Sequence, residues 1–567
     1  MTAMRSILNR IYGRRKGAAA YARLSAVLDA FEPIPAATGS KWFSAADVIL
    51  ITYGDTLLRP GERPLETLQR FCVQRFKGVF SGLHILPFFP YSSDDGFSVT
   101  DLHAVRPDLG TWGDIGSLGN DFRLMVDLVA NHVSAGSRWF QSYLADQPGF
   151  SDLAIEVDPS VDLSGVTRPR ALPLLTAYLK RSGRKVHVWT TFSADQIDLN
   201  YRSLDVLERM VRTLLFYASQ GARIIRLDAI AYLWKAVGTA CIHLPQTHDL
   251  VRLLRRILDL AAPAVILVTE TNVPHAENVS YFGDGYDEAQ MVYNFTLPAL
   301  LLYSLARGSA GLFSQWAQCL TPPSAQTAFF NFTASHDGIG VRPLEGIVPP
   351  SQIRWLADRV CQNGGRVSVK HNPDGSTSPY ELNITYLDAL KNPHDPDDPF
   401  QIARFLAAQA VALVLPGVPG VYIHSILGSL NWTDGVERTG RARTINRASV
   451  WVDALDAELA DGRHRRARVF FPYRHMIRVR SRQPAFDPGA AMQILPVGDR
   501  VFAVKRWSAQ QTLVALTNFC ADCLTVNLSG AAGTPTRWDL LSGRRYDDGQ
   551  IPLSGYQSVW LTESAPL

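Results

Sequence analysis

A series of short apolar runs, most of them stopping abruptly at ionisable or amide side chains, constrains this chain more than any other feature. "DVILITYGD" stops at Asp55, and "SGLHILPFFP" stops in prolines and aromatics. "FRLMVDLVANH" carries Asp127, Asn131 and His132, and "GARIIRLDAIAYLWK" carries Arg226 and Asp228. "APAVILVTETN" reaches Glu270, and "TAFFNFTASHD" ends on His336 and Asp337. Apolar runs without alternation suit strands covered on both faces, as in a parallel sheet. Helix-like stretches lie between them, among them "LDVLERMVRTLLFYASQG", closed by a C-terminal Gly, and "HDLVRLLRRILDLAAP". This alternation predicts either a (β/α)8 barrel or a doubly wound sheet. The barrel is preferred, because it gathers the C-terminal strand ends on one face and makes neighbours of Asp228, Glu270 and Asp337. A doubly wound sheet would string them along an edge, and no GxGxxG follows the first strand to support nucleotide binding.

With 567 residues the chain exceeds a single small core. We expect an N-terminal helical extension over residues 1–44, an α/β barrel over 45–485 and a C-terminal all-β sandwich over 486–567. The last region is read from "QILPVGDRVFAVKRW", "TLVALTNF", "LTVNL" and "GYQSVWLTE". Two irregular insertions interrupt the barrel, at about 135–200 and about 346–400. Long loops inside compact domains are usually functional. A hydrophobic fraction of 47% with 19% charged residues is that of a globular protein, and a net charge of +4 points to no nucleic-acid partner. The basic N-terminus lacks the apolar core of a signal peptide, and no run of about 18 apolar residues could span a membrane. Cys520 and Cys523 form a CxxC without a second pair, so reduced thiols in a cytoplasmic protein are expected.

Three carboxylates at strand ends are the minimum set for cleaving a glycosidic bond with retention. One attacks the anomeric carbon, one protonates the leaving oxygen, and the third stabilises positive charge on the ring. Arg226 precedes Asp228 by two residues, on the same strand face, and a guanidinium there favours an ionised nucleophile. Glu270 follows the apolar "VILVT", where desolvation raises its pKa as a general acid requires.

"DLVANH", "ARIIRLDAI", "VTETN" and "FTASHD" resemble the four short sequence regions of the α-amylase superfamily. The resemblance implies Asp228 as nucleophile, Glu270 as acid/base and Asp337 as transition-state stabiliser. It also implies that Asp127 and His132 shape the cleft and that Arg226 and His336 contact the donor sugar. "LITYGD", "RPRALP", "TFSADQIDLNY", "SHDGIGVRPLEG" and "TGRARTINR" are most similar to the sucrose phosphorylase group, over roughly residues 45 to 560. By this likeness Asp55 and Arg443 close the glucose pocket beyond its 4-hydroxyl, and Phe192 and Gln196 line it. Tyr232, Asn272, Tyr380 and Glu381 complete the substrate contacts.

The same likeness makes Arg170 in "RPR" the phosphate-binding arginine, helped by Tyr380 in "SPYELN". Asn272 and Glu381 stand where sucrose-specific members carry His and Gln, so fructose is not the expected leaving group. The expectation is phosphorolysis of a small α-glucoside, glucosylglycerate first, to α-glucose 1-phosphate. Glu381 opposes a glycerate anion unless Lys370, His371 or an arginine compensates. Sucrose, sucrose 6-phosphate and glucosylglycerol stay open as substrates, as does hydrolysis or transglucosylation on the same barrel. No cofactor or metal is expected, because "DLVANHVSAGSRWF" offers no dense acidic cluster for calcium. The oligomeric state is not legible in the sequence.

Overall fold

Eight parallel strands close into a barrel: β1 Ile49–Thr52, β2 Gly82–Ile85, β3 Arg123–Val129, β4 Ala222–Asp228, β5 Ile266–Thr269, β6 Met291–Tyr293, β7 Ala328–Phe332 and β8 Val418–Tyr422. Each pairs with its sequence neighbours, and β8 pairs back onto β1 through Ile49↔Gly420. The structure is a computed structural model and describes residues 2–35, 42–169, 172–371, 376–528, 538–547 and 549–563. β1, β2, β5, β6, β7 and β8 are buried at every position, which is why their sequences do not alternate. The interior is filled rather than hollow. A Cβ on Gly420 of β8 would meet the Phe330 ring of β7 at 2.4 Å, so only glycine leaves room for that aromatic.

Helices wrap the barrel, including Pro64–Phe76, Leu204–Ser219, Pro245–Ala261, Thr296–Arg307 and Gln401–Val414. The first inserted region follows β3. There His132–Ser134 pairs antiparallel with Gln196–Asp198, and Leu175–Leu179 forms a hairpin with Lys185–Trp189. The second follows β7. Ile339–Gly340 pairs with Thr377–Asn383, which pairs in turn with Arg366–His371. Both insertions therefore fold as small sheets above the carboxyl ends of the strands.

The N-terminal helix Thr2–Asp29 lies against Leu204–Ser219 and Pro245–Ala261, bending at Gly13 where φ is 76°. Arg10 pairs with Asp249 at 2.6 Å and Arg23 with Glu208 at 2.8 Å. Tyr12 donates to the Tyr201 carbonyl at 2.7 Å, and Tyr201 donates to the Ala130 carbonyl at 2.6 Å, so the helix braces the loop that follows β3. Beyond the barrel, the strands Ala491–Ile494, Val501–Trp507, Thr512–Asn518, Ser558–Thr562 and Trp538–Asp539 form one sheet in that order. The ribbon Leu524–Asn527/Gln550–Leu553 shares a core with this sheet, through Val526, Ile551, Val514 and Val559.

Two fully buried arginines join these parts. Arg506 donates to the Val414 carbonyl at 2.6 Å and to the Asp487 carbonyl at 2.9 Å, fastening the C-terminal sheet to the barrel. Arg480 donates to the carbonyls of Leu413, Ala45, Asp47, Gly417 and Phe486. Among the described residues no helix is long and apolar enough to cross a membrane.

Removing the Arg480 donors strands several buried carbonyls, each costing of the order of 1–3 kcal/mol. Arg480→Met should therefore lower the urea midpoint of unfolding strongly. Arg480→Lys keeps up to three donors and should fall between the variant and the parent. A midpoint unchanged in Arg480→Met would show that these carbonyls find other partners.

Candidate active site

Register assembles the reaction centre. On neighbouring strands β3 and β4, Asp127 stands opposite Arg226, so both side chains point into the barrel at one level. Asp228 is two residues further along β4, on the same face one level higher. Glu270 immediately follows β5, its N–H bonding the Leu227 carbonyl at 3.3 Å. The Arg226 guanidinium, 1% exposed, is shared among all three: 2.5 Å to Asp127, 2.8 Å to Asp228 and 3.8 Å to Glu270. Phe97 and Tyr293 cover it at 5.6 and 5.3 Å from their ring centres.

The shared cation acts unequally on the two acids that follow it. Burial raises the pKa of both Asp228 and Glu270, and Arg226 opposes it. Burial outweighs Arg226 at Glu270, which with the neighbouring Asp228 and Asp337 charges is pushed up to about 7, while Arg226 lies closer to Asp228 and favours its ionised form more strongly. Burial works against ionisation of Asp127 as well, but His84 at 2.8 Å and Arg226 outweigh it and hold this carboxylate below its usual range. Ala229, directly after the strand, adopts a left-handed conformation (φ 52°) and turns its N–H towards Glu270 Oε2 at 3.2 Å. A non-glycine residue held there is a strained turn at the reaction centre.

The third carboxylate arrives on the β7 loop. Burial penalises an ionised Asp337, yet Arg443 at 2.6 Å, with His336 and Arg447, holds its pKa well below the carboxylate range. His336 is buried, stacked on Phe97 at 4.8 Å, and desolvation drives its pKa down to about 3, so the ring is neutral. These groups surround a cavity of about 80 Å³ lined by His132, Phe192, Gln196, Asn272, Tyr380 and Glu381 besides the three acids. Beside it lies a second space of about 300 Å³ that shares Asp94, Pro169, Tyr380, Glu381 and Arg443 with it. Arg443 spans the junction, reaching Asp337 on one side and Glu381, at 2.8 and 3.1 Å, on the other.

Most residues singled out in the sequence meet here. Asp228, Glu270, Asp337, Phe192, Gln196, Arg226, Asn272, His336, Tyr380, Glu381 and Arg443 all line the cavity. Tyr232 stands behind Phe192, with ring centres 5.5 Å apart. Asp55 is not brought to Arg443. It is paired with Arg106, does not line the cavity and is half exposed, because β1 ends before the loop turns outward. Arg170 lies outside the described residues, next to Pro169, which does line the cavity.

The structure also recruits residues the sequence reading passed over. Asp94 and Asp95, both at positive φ, sit in the loop "YSSDDGF" above β2. Gln196 donates to Asp94 at 3.1 Å, while Arg441 and Arg447 pair with Asp95 at 2.9 and 2.5 Å. Arg447 also donates to the His336 carbonyl at 2.8 Å. The signal was an acidic pair before a glycine, three residues after the apolar run that ends at Pro90. Among the described residues no group of three His, Cys, Asp or Glu side chains is placed to hold a metal ion.

The family profile for the α-amylase catalytic domain matches residues 78–336. A glucosylglycerate phosphorylase from Allomeiothermus silvanus is 47% identical over 98% of this chain and 97% of its own length. One from Escherichia coli is 44% identical over 98% of both chains. The crystal structure of sucrose 6F-phosphate phosphorylase from Thermoanaerobacter thermosaccharolyticum superposes with a TM-score of 0.73 at 26% identity, covering 84% of this chain and 94% of that one. The barrel, the shared guanidinium and the full-length similarity agree: this chain belongs to the α-amylase family.

Proposed function

We propose that this protein is a retaining α-glucoside phosphorylase that converts glucosylglycerate and inorganic phosphate into α-glucose 1-phosphate and glycerate. The observation that carries the reading is the division of protons imposed by Arg226. It favours an ionised Asp228 and a protonated Glu270 on adjoining strands, as a nucleophile and a general acid require. Near full-length similarity to proteins named glucosylglycerate phosphorylase supports the substrate.

In this reading Asp228 attacks the anomeric carbon while Glu270 gives its proton to the departing glycerate oxygen, leaving a glucosyl ester on Asp228. Asp337 and neutral His336 hold ring hydroxyls, and Asp337 stabilises the positive charge that develops. Phosphate then enters, Glu270 takes its proton, and a phosphate oxygen displaces Asp228. Arg170 and Tyr380 hold the incoming anion, and the walls of the site restrain water. Asp94, with the Arg447–Asp95 pair behind it, bounds the glucose site beyond Gln196, the place first expected for Asp55 and Arg443. Glu381 does not repel glycerate freely, because Arg443 clamps it with two contacts. Lys370 is engaged by Glu345 at 2.6 Å. The six cysteines are free thiols, which accords with a cytoplasmic setting where phosphate is at hand.

Purified protein should release glucose 1-phosphate from glucosylglycerate only when phosphate is present. Free glucose at the same rate without phosphate would point to a hydrolase. kcat/KM for the glucoside should fall about tenfold per pH unit above about 7, as Glu270 loses its proton. That limb should vanish with α-glucosyl fluoride, whose leaving group needs no acid. Glu270→Gln should retain glucosylation by the fluoride and lose turnover of the glucoside by orders of magnitude, whereas Asp228→Asn should lose both.

The Glu270 pKa also predicts a stability effect. Between the unfolded value of 4.5 and the folded value of about 7 the native state binds more protons than the unfolded chain, so stability falls as pH rises through that window. The Tm advantage of Glu270→Gln over the parent should grow between pH 5 and pH 8. An advantage that is flat with pH would refute the raised pKa.

A further inference from the structure

Between Tyr91 and Val99 the chain makes a tight loop above β2. Asp94 and Asp95 are both left-handed, at φ 56° and 49°, and Gly96 follows at φ 108°, where a Cβ would meet the Pro87 carbonyl oxygen at 2.8 Å. Left-handed backbone is disfavoured for residues with a side chain, so two in succession persist only where the surroundings hold them. The loop brings Asp94 and Phe97 to the cavity, and Phe97 stacks on His336. Arg441 and Arg447 hold Asp95 itself.

The base of the loop is held by a single carboxylate. Asp195 accepts from the hydroxyls of Ser92, at 2.5 Å, and Ser93 before the turn, and from that of Ser98, at 2.7 Å, after it. Ser134, in the short strand that follows β3, reaches the other carboxylate oxygen at 3.3 Å and bonds Ser92 at 2.6 Å. The Asp195 carbonyl accepts from the Ser98 hydroxyl and from the Ala135 N–H, each at 2.9 Å. Burial disfavours an ionised Asp195, yet these four hydroxyls hold its pKa below the usual carboxylate range. A carboxylate is an acceptor only, with room for about four donors, which no amide or hydroxyl in its place would match. The next residue, Gln196, lines the cavity and donates to Asp94 at 3.1 Å. Two adjacent residues of the first inserted region thus clasp the loop, Asp195 at its base and Gln196 at its turn. Asp195 itself lines neither space.

We propose that Asp195 is a positioning residue for the glucosyl unit. By gathering Ser92, Ser93 and Ser98 it keeps the strained loop in the conformation that presents Asp94 and Phe97 to the ring, and so governs capture of the moiety that both glucosyl donors share. The assignment rests on the reading above that Asp94 bounds the glucose site, and it concerns neither the leaving group nor phosphate.

The test compares the parent with Asp195→Asn, Asp195→Ala, Ser93→Ala and the Ser93→Ala/Asp195→Ala double variant, with thermal melts on each. In a double-displacement reaction kcat/KM for a glucosyl donor reports capture of the ring, whereas kcat/KM for the second substrate reports attack on a ring already covalently held. Asp195→Ala should lose at least about tenfold in kcat/KM for glucosylglycerate in phosphorolysis, and by the same factor for glucose 1-phosphate in synthesis. The values for phosphate and for glycerate should stay within about threefold of the parent. Asp195→Asn keeps one acceptor oxygen and should lose less. The double variant should lose less than the product of the single losses, because both changes break one contact. Ser93→Ala carries the test should Asp195→Ala fail to fold. Unchanged values for both donors overturn the assignment. An equal fall for all four substrates that follows a lowered Tm makes Asp195 a structural residue and overturns it too. A fall confined to one donor also overturns it, since the role would then lie with the leaving group or with phosphate. A parent that uses another α-glucoside and refuses glucosylglycerate overturns the substrate reading alone, and the same comparison with that glucoside decides the role of Asp195. A parent that takes glucose from no donor overturns both.

Discussion

One buried cation organises this protein's chemistry. Arg226 is almost wholly enclosed and, as a guanidinium, remains charged there. An isolated buried charge is costly, so carboxylates must surround it. Asp127 and Asp228 already outnumber its single charge, and a third anion close by would meet net repulsion with little water to screen it. Together with burial, this pushes the Glu270 carboxyl up to about 7. Two chemically similar acids thus differ in how closely each stands to the guanidinium.

A second charge centre repeats the logic across the cavity. Asp337 and Glu381 face each other through Arg443, and Asp95 gathers Arg441 and Arg447. These groups come from strand-end loops and from the second inserted sheet, so ion-paired side chains bound the small cavity together with the aromatic rings of Phe97, Phe192 and Phe295. Such a boundary suits a ligand covered in hydroxyls, which needs directional partners more than apolar area. Behind this layer, Lys235 pairs with Asp198 at 2.5 Å and bonds Asn131 at 2.7 Å, tying the loop after β4 to the one after β3. The N-terminal helix reaches the same place through Tyr12 and Tyr201. The rigidity of the site is thus drawn from parts of the chain that contribute nothing to the cavity lining.

The outcome for Asp55 shows where the sequence reading stopped short. It follows an apolar run as Asp228 and Glu270 do, yet pairs with Arg106 outside the cavity, while Asp94 on the next loop lines it. β1 ends at Thr52, three residues before Asp55, so the side chain sits on loop whose direction the period of two does not set. Arg443 and Arg447, four residues apart in a short 3₁₀ segment and its cap, divided the anions between them in a way no spacing rule encodes.

By itself the sequence determined the barrel, through apolar runs that only a sheet buried on both faces explains. It also pointed to Asp228, Glu270 and Asp337, which stand at the ends of those runs and line one cavity. Strand periodicity and barrel closure are local and repetitive, so residue order alone carries them. The protonation of Glu270, the partner of each arginine and the shape of the leaving-group space were decided by tertiary structure. Those properties depend on ångström distances between charges far apart in the chain, and Coulomb energies in a dry interior change steeply over such distances.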